Sequence, residues 1–321
     1  MEAQTGSLTL ANLVDPREKT YFNVLLGISI LIWVCVVLSI IGLLAVGVVA
    51  LIAWFAHGLL VARLRSEGVR ITPEQYPALH QTFTEVCQRL GLAEAPDLYL
   101  LQEGGLLNAF ATRHAGRNFV VLYSSFVEIL GPSSPMIKFL IGHELGHLQR
   151  KHLTKRMFVA PGTIVPLLAE AYHRACESTC DRYGAFASGD LPASMMALTI
   201  LASGREAASV DTTHFAAQHF QTRDFFVSWH ELIIGYPTLS QRVAQVLGFS
   251  DPQYAQRPGR HILAYPFAFF FTLFSIRSLI LVYISIVAIS VLIALGNQVK
   301  GTQQAIQDQL QKQQQDQSTG H

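Results

Sequence analysis

Residues 21 to 61 carry no Asp, Glu, Lys or Arg, an uninterrupted run of 41 residues, YFNVLLGISILIWVCVVLSIIGLLAVGVVALIAWFAHGLLV. A membrane span needs about 20 residues, and one straight helix of this length would be roughly 60 Å long, twice the hydrocarbon thickness. The run therefore predicts two spans joined by a tight turn within residues 39 to 47. A cleaved signal peptide does not fit, because Glu2, Asp15 and Glu18 make the preceding segment polar and the apolar run is far too long. His57 falls in the second span and is expected near an interface, where its imidazole can stay wet.

A second apolar block occupies residues 262 to 296, with Arg277 as its sole charge. The part after Arg277 is long enough to cross a bilayer, and the part before it is shorter. We expect one or two spans, with Arg277 at a turn in the headgroup region, since a lone buried arginine is costly. These blocks explain the composition: 50% hydrophobic and 14% charged, against about 25% charged in a soluble domain. The net charge of +1 leaves no basic face for nucleic acid. Cys35, Cys87, Cys176 and Cys180 are too few for a disulfide scaffold and are expected as free thiols.

Arg63, Arg65 and Arg70 follow the first block, and Arg257 and Arg260 precede the second. By the positive-inside rule these flanks are cytoplasmic, which places the intervening domain on that side. The expected organisation is a polar segment (1–20), a membrane hairpin (21–62), a soluble domain (63–261), one or two further spans (262–296) and a glutamine-rich tail (297–321). In the soluble domain, Thr72 and Pro73 read as the start of a helix running to Gly91, and DLYLLQ as a short strand. LLNAFATRHAGRNFVVLYSS reads as a hairpin turning at Ala115 and Gly116. Further helices are expected from Ser134 and Pro135, over 166–187 and near 192–203. The class is α+β, mainly helical with a small sheet.

The helix starting at Ser134 and Pro135 carries IGHELGHLQRKH, residues 141 to 152. With 12 His and 13 Glu in 321 residues, random placement yields roughly 0.02 copies of H-E-x-x-H. His143 and His147, at i and i+4, project from one helical face and suit a single metal ion, while Glu144 stands about 100° round the axis. A catalytic zinc takes a third protein ligand and keeps a place for water. HRACESTCDRYGA, downstream, offers Glu177 and Asp181 one turn apart. Cys176 and Cys180 flank Glu177 on another face and are expected as buried thiols. The basic run of Arg150, Lys151, His152, Lys155 and Arg156 follows the motif helix, complementing its dipole or approaching anionic headgroups.

The set formed by His143, Glu144 and His147 with Arg174, Glu177, Asp181, Gly184 and Ala185 resembles the HtpX-type membrane zinc metalloproteases, relatives of the CAAX prenyl endopeptidases with a gluzincin core. Residues 108 to 111, NAFA, resemble that family's strand beside the active site, and YPTLSQRV, residues 236 to 243, resembles its H-P-x-x-x-x-R-[IV] segment. The family's histidine before that proline is Tyr236 here. Only 30 positions separate His147 from Glu177, too few for the extra membrane hairpin HtpX carries there. The apolar MFVAPGTIVPLL in that interval is expected to be buried or surface-lying, beside the route to the site.

The resemblance implies one Zn²⁺ held by His143, His147 and Glu177, with Glu144 as general base and Asp181 orienting a zinc histidine. Arg242 is the leading candidate to organise the site or stabilise an oxyanion, with Tyr236 and His230 behind it. Asn108, Ala109, Phe110 and Ala111 would form an edge strand that pairs with substrate. The implied function is a membrane-bound zinc endopeptidase of the bacterial inner membrane that hydrolyses unfolded or membrane proteins in contact with the lipid bilayer. The alternatives are a non-catalytic membrane scaffold that keeps the fold, or a prenyl-protein endopeptidase, which would need more spans to enclose the site.

Overall fold

A computed structural model describes residues 8–38, 40–104, 108–221 and 224–274, with scattered positions between 286 and 304. The turn expected at Arg277, most of the span after it and the tail beyond residue 304 lie outside the described residues.

Two long helices, α1 (Pro16–Leu38) and α2 (Ile40–Glu67), form the expected hairpin, and both are long and apolar enough to cross a membrane. Helix α1 ends at Leu38 and α2 begins at Ile40, at the early end of the predicted turn. Leu31, Leu38, Leu44, Ile52 and Leu59 are exposed along their flanks. In water that surface would be strongly unfavourable, so these flanks are built for lipid. Helix α1 starts before the apolar run, because Arg17, Glu18 and Lys19 continue it on the polar side.

The sheet has the order β1-β2-β4-β3, with β1 (Val69–Arg70), β2 (Asp97–Leu101), β3 (Ala109–His114) and β4 (Arg117–Tyr123). Strands β3 and β4 are the predicted hairpin. Ala115 and Gly116 both take positive φ, at 48° and 84°, the geometry of a tight type I′ connection. Among the described residues β3 pairs with β4 alone, so no strand covers its other edge. Between β1 and β2 lies α3 (Pro77–Arg89). It starts four residues later than the expected Pro73, because Thr72 and Gln75 close a turn on each other through reciprocal backbone hydrogen bonds. Its spacing is otherwise as expected: Leu79, Phe83 and Val86 are buried, with Leu90 just beyond.

After the sheet come α4 (Ser124–Leu130), α5 (Pro135–Gln149), α6 (His152–Val159), α7 (Leu168–Ser188) and α8 (Leu191–Ser203). They are followed by α9 (Thr212–Gln221), α10 (Phe225–Ile233), α11 (Leu239–Leu247) and α12 (Ala264–Leu273). Ser134 caps α5 by accepting from the Ile137 amide at 3.2 Å, with Pro135 in the first helical position. Helix α5 is apolar on nearly every side because it is the centre of the fold: Ile137, Phe139, Ile141 and Leu145 are buried in the main core with residues of α3, β4, α7, α8 and α11.

Glycine sets how closely α5 meets α7. A Cβ on Gly184 would stand 2.7 Å from the Phe139 carbonyl oxygen, and one on Gly146 would stand 3.1 Å from Tyr183 Cβ. Only side chains without a Cβ allow backbones this near. The stretch MFVAPGTIVPLL forms the end of α6 and a 3₁₀ turn, Pro161–Ile164, and packs against α1, with the Gly162 amide donating to Ser29 Oγ at 2.8 Å.

Candidate metal centre

The α5–α7 crossing brings the two halves of the sequence motif together. His143 Nε2 stands 3.3 Å from Glu177 Oε2, and His147 Nε2 stands 3.5 Å from Glu177 Oε1. Zinc with bonds of roughly 2.05 Å in a tetrahedron spaces its ligand atoms about 3.3 Å apart. Two imidazole nitrogens and a carboxylate at this separation fit that ion.

The outer side of His143 is fixed. Its Nδ1–H donates to Asp181 Oδ1 at 3.0 Å, and Asp181 in turn accepts from Arg242 Nη2 at 2.6 Å and Nε at 2.8 Å. This chain selects the tautomer that turns the Nε2 lone pair inward. Arg242, from α11, thus grips Asp181 with both arms of its guanidinium, and its Nη2 also lies 3.5 Å from His143 Nδ1.

The electrostatics favour a cation between the three ligands. Burial works against a charged His143, yet the hydrogen bonds and charges of Asp181 and Glu177 outweigh it and raise its pKa. Burial and the neighbouring positive charges of His143, His152 and Arg242 hold the His147 pKa down against the pull of Glu177, so its ring stays neutral. Burial alone would raise Glu177, but the His143 hydrogen bond and the positive charges of His143 and Arg242 pull its pKa well below the usual carboxylate range. An ionised carboxylate, a neutral imidazole and a second imidazole that attracts positive charge form a donor set suited to a divalent metal.

Glu144 belongs to the same helix but points elsewhere. Burial pushes its carboxyl up to about 7, helped by the charge on Glu177 and opposed by His143, by Arg242 and by the hydrogen bond from the Ala111 amide. That amide lies on the side of β3 away from β4, so strand and helix meet through the Glu144 carboxylate. A cleft of about 860 Å³ runs past Asn108, Ala109, Phe110 and Ala111 to His143, Glu144, His147 and Glu177, with Tyr236 and Arg242 also in its wall. Tyr236 is 63% exposed, and the Glu177 charge and partial burial raise its phenol pKa, so it faces the cleft as a neutral hydroxyl.

Of the residues singled out in the sequence, His230 is the one the fold takes away: it lines a separate small cavity with His219, Phe226 and Thr238. Cys176 and Cys180 are buried free thiols, held protonated because burial raises both pKa values. The basic run divides. Lys151 is exposed, while Arg150, His152 and Lys155 gather around the buried Glu18 of α1. Sequence reasoning missed the Ala111 amide, and it missed Arg156, His173 and Phe271 in the cleft wall. The first follows from alternation along an edge strand, but nothing in the sequence announces the others.

A comparison with curated protein sequences gives no match. Among solved structures, the fold is similar to the crystal structure of S. mikatae Ste24p, with a TM-score of 0.43 and 13% identity over 64% of this chain and 57% of that one. The chain thus spans little more than half the length of that protein, and a likeness this loose carries no functional inference. The model of Peptidase family M48 matches residues 73–250, which contain the paired histidines, Glu177, Asp181, Arg242 and the edge strand, and take in more than half of the chain. The chain belongs to peptidase family M48, a family of metalloproteases.

Proposed function

We propose that this protein is a zinc-dependent endopeptidase of the membrane, and the observation that carries the reading is the triangle of His143 Nε2, His147 Nε2 and a Glu177 carboxylate oxygen beside the buried Glu144. His143, His147 and Glu177 hold the metal. Zn²⁺ bound there supplies Lewis acidity and brings the pKa of its water towards about 7. Glu144 accepts a proton from the attacking water and returns it to the leaving amine. The Ala111 amide keeps the Glu144 carboxylate aimed into the cleft.

Asp181 and Arg242 act from behind. Their paired hydrogen bonds lock the His143 ring and neutralise part of the local negative charge, which makes Arg242 a positioning residue. Tyr236, with its neutral hydroxyl at the mouth of the cleft, is positioned to donate to a developing oxyanion. Asn108, Ala109, Phe110 and Ala111 receive substrate by strand addition, a mode that reads backbone more than side chain. It suits unfolded proteins and membrane proteins as substrates.

In this reading residues 63–261 are the protease domain between membrane segments 21–62 and 262–296, and the arginines at 63, 65, 70, 257 and 260 support a cytoplasmic side for it, as in a bacterial inner membrane. The test compares casein digestion by the detergent-purified parent and by Glu144→Gln. Loss of a general base is expected to lower kcat by roughly 10²- to 10⁴-fold with zinc content unchanged. Equal rates in the two proteins would remove Glu144 from the mechanism.

A further inference from the structure

One buried carboxylate has no part in the chemistry above. Glu18, in the first turn of α1, is 1% exposed, and its Oε1 accepts from Arg150 Nη2 at 2.9 Å and Nε at 3.2 Å, with Lys155 Nζ at 3.5 Å. His152 Nε2 lies 3.2 Å from the same oxygen, and His152 Nδ1 lies 3.1 Å from His147 Nδ1.

The two contacts of His152 are chemically linked. A histidine that binds metal through Nε2 carries its proton on Nδ1 and needs an acceptor for it. For His147 the nitrogen within reach is His152 Nδ1. That atom accepts only in the neutral tautomer protonated at Nε2, and the group facing Nε2 is Glu18. Among the described residues, His152 Nε2 and Glu18 Oε2 are both buried without a hydrogen-bond partner of their own. An unmet donor and an unmet acceptor thus sit on residues already in contact.

We propose that Glu18 and His152 form a positioning relay for His147, the counterpart of Arg242 and Asp181 behind His143, so that the first membrane helix holds one of the metal ligands in place. The inference rests on His147 being such a ligand. A second metal bound by His152 with Glu18 and Cys176, or with His147 and Cys180, is the competing use of these groups. Protonated thiols are poor ligands, and Arg150 and Lys155 already supply the positive charge that Glu18 demands.

The experiment uses the full chain in detergent. It measures zinc affinity by chelator competition, the visible spectrum of the Co²⁺-substituted protein, and kcat and KM on casein. His152→Ala is expected to weaken zinc binding by roughly 10- to 100-fold, to shift the cobalt bands and to lower kcat while KM holds. His152→Asn, whose Oδ1 sits where Nδ1 does and accepts the same proton, recovers most of the affinity and the parental bands. Glu18→Gln keeps the size of the side chain, guards against misfolding of the alanine variant, and is expected to shift the bands in the same direction by less.

An affinity within twofold of the parent and an unchanged cobalt spectrum in His152→Ala would overturn the relay, as would an asparagine variant no better than alanine. Binding of two metal ions per chain, reduced to one in His152→Ala, also overturns it, in favour of a second site. A parent chain that takes up no zinc removes the proposed function and the relay with it, whereas a zinc-binding parent with an indifferent His152→Ala removes the relay alone.

Discussion

Gly142→Ala probes the arrangement on which the metal centre depends. Gly142 precedes His143 on α5 and faces α7 at the crossing, where a Cβ would overlap Ala187 Cβ and stand 3.0 Å from the Tyr183 carbonyl oxygen and 3.1 Å from Gly184 Cα. Two of these are backbone atoms of α7 and have no rotamer to escape into. Comfortable contact lies at about 3.5–4.0 Å, so the helices must separate by roughly 0.5–1 Å. Overpacking of this kind costs ~1–3 kcal/mol. For a domain of some 200 residues that lowers the melting temperature by roughly 2–12 °C.

The larger effect falls on the metal. His143 Nε2 and Glu177 Oε2 sit on the two separating helices, 3.3 Å apart, and a shift of this size takes them beyond the tetrahedral spacing. A misplacement of about 1 Å can cost 10²-fold in function, so zinc affinity should fall at least tenfold. The assay is chelator competition together with a thermal melt in detergent, with Gly27→Ala as control, since nothing lies within 4 Å of its Cβ position. A Gly142→Ala protein that melts with the parent and keeps its zinc affinity would refute the close crossing of α5 and α7.

Dialysis against a chelator should abolish casein digestion and lower the melting temperature, because ligand at 100 times its Kd stabilises by about 2.7 kcal/mol; Glu177→Ala should copy this at full zinc, and full occupancy in that variant would place the third ligand elsewhere. Ala109→Pro, which removes an edge-strand amide now held by Asn108 Oδ1 at 2.9 Å, should cut digestion of unfolded protein tenfold or more with zinc content intact; undiminished activity would mean that peptide does not pair at this edge. A single cysteine at the exposed position 205, Arg205→Cys in a chain without its four native cysteines, should resist an impermeant thiol reagent in intact cells, and ready labelling would reverse the orientation.

The grouping of the candidate site residues was legible in the sequence because its parts are local. His143 and His147 are one turn apart, as are Glu177 and Asp181, and each pair needed only a helix to share a face. The hairpin was equally legible, since Ala115-Gly116 between apolar runs leaves little choice of turn. The start of α3 was misread although the decisive clue was present. Pro77 bars Tyr76 from the helical region, and Tyr76 takes φ 68°, so a helix begun at Pro73 had no way through. Long-range pairs left no such trace. Arg150 and Glu18 are 132 positions apart, and a basic run after a helix reads as dipole complement or surface patch until the fold delivers a carboxylate to it. His230 is the converse case: a histidine near the right segment that α10 turns into a different cavity.

The shortness of the link between the two ligand helices now has a physical account. In this chain α5 and α7 are joined by α6 and a 3₁₀ turn, and their packing partner is α1. Trp33 Nε1 donates to the Phe158 carbonyl at 3.2 Å, the Gly162 amide donates to Ser29 Oγ at 2.8 Å, and a Cβ on Gly162 would stand 2.7 Å from the Leu25 carbonyl oxygen. From Glu18 to Trp33 is about 22 Å of helix at 1.5 Å per residue, and the link packs along that length of α1. Buried backbone that leaves helical form needs its polar groups met, and Ser29 meets that demand for the Gly162 amide. Helix α1 therefore packs against both ends of the link: Glu18 beside the end of α5, and Leu25, Ser29 and Trp33 along the segment that returns as α7. The first apolar helix and the candidate metal site are one packed unit, and the placing of His143, His147 and Glu177 depends on α1.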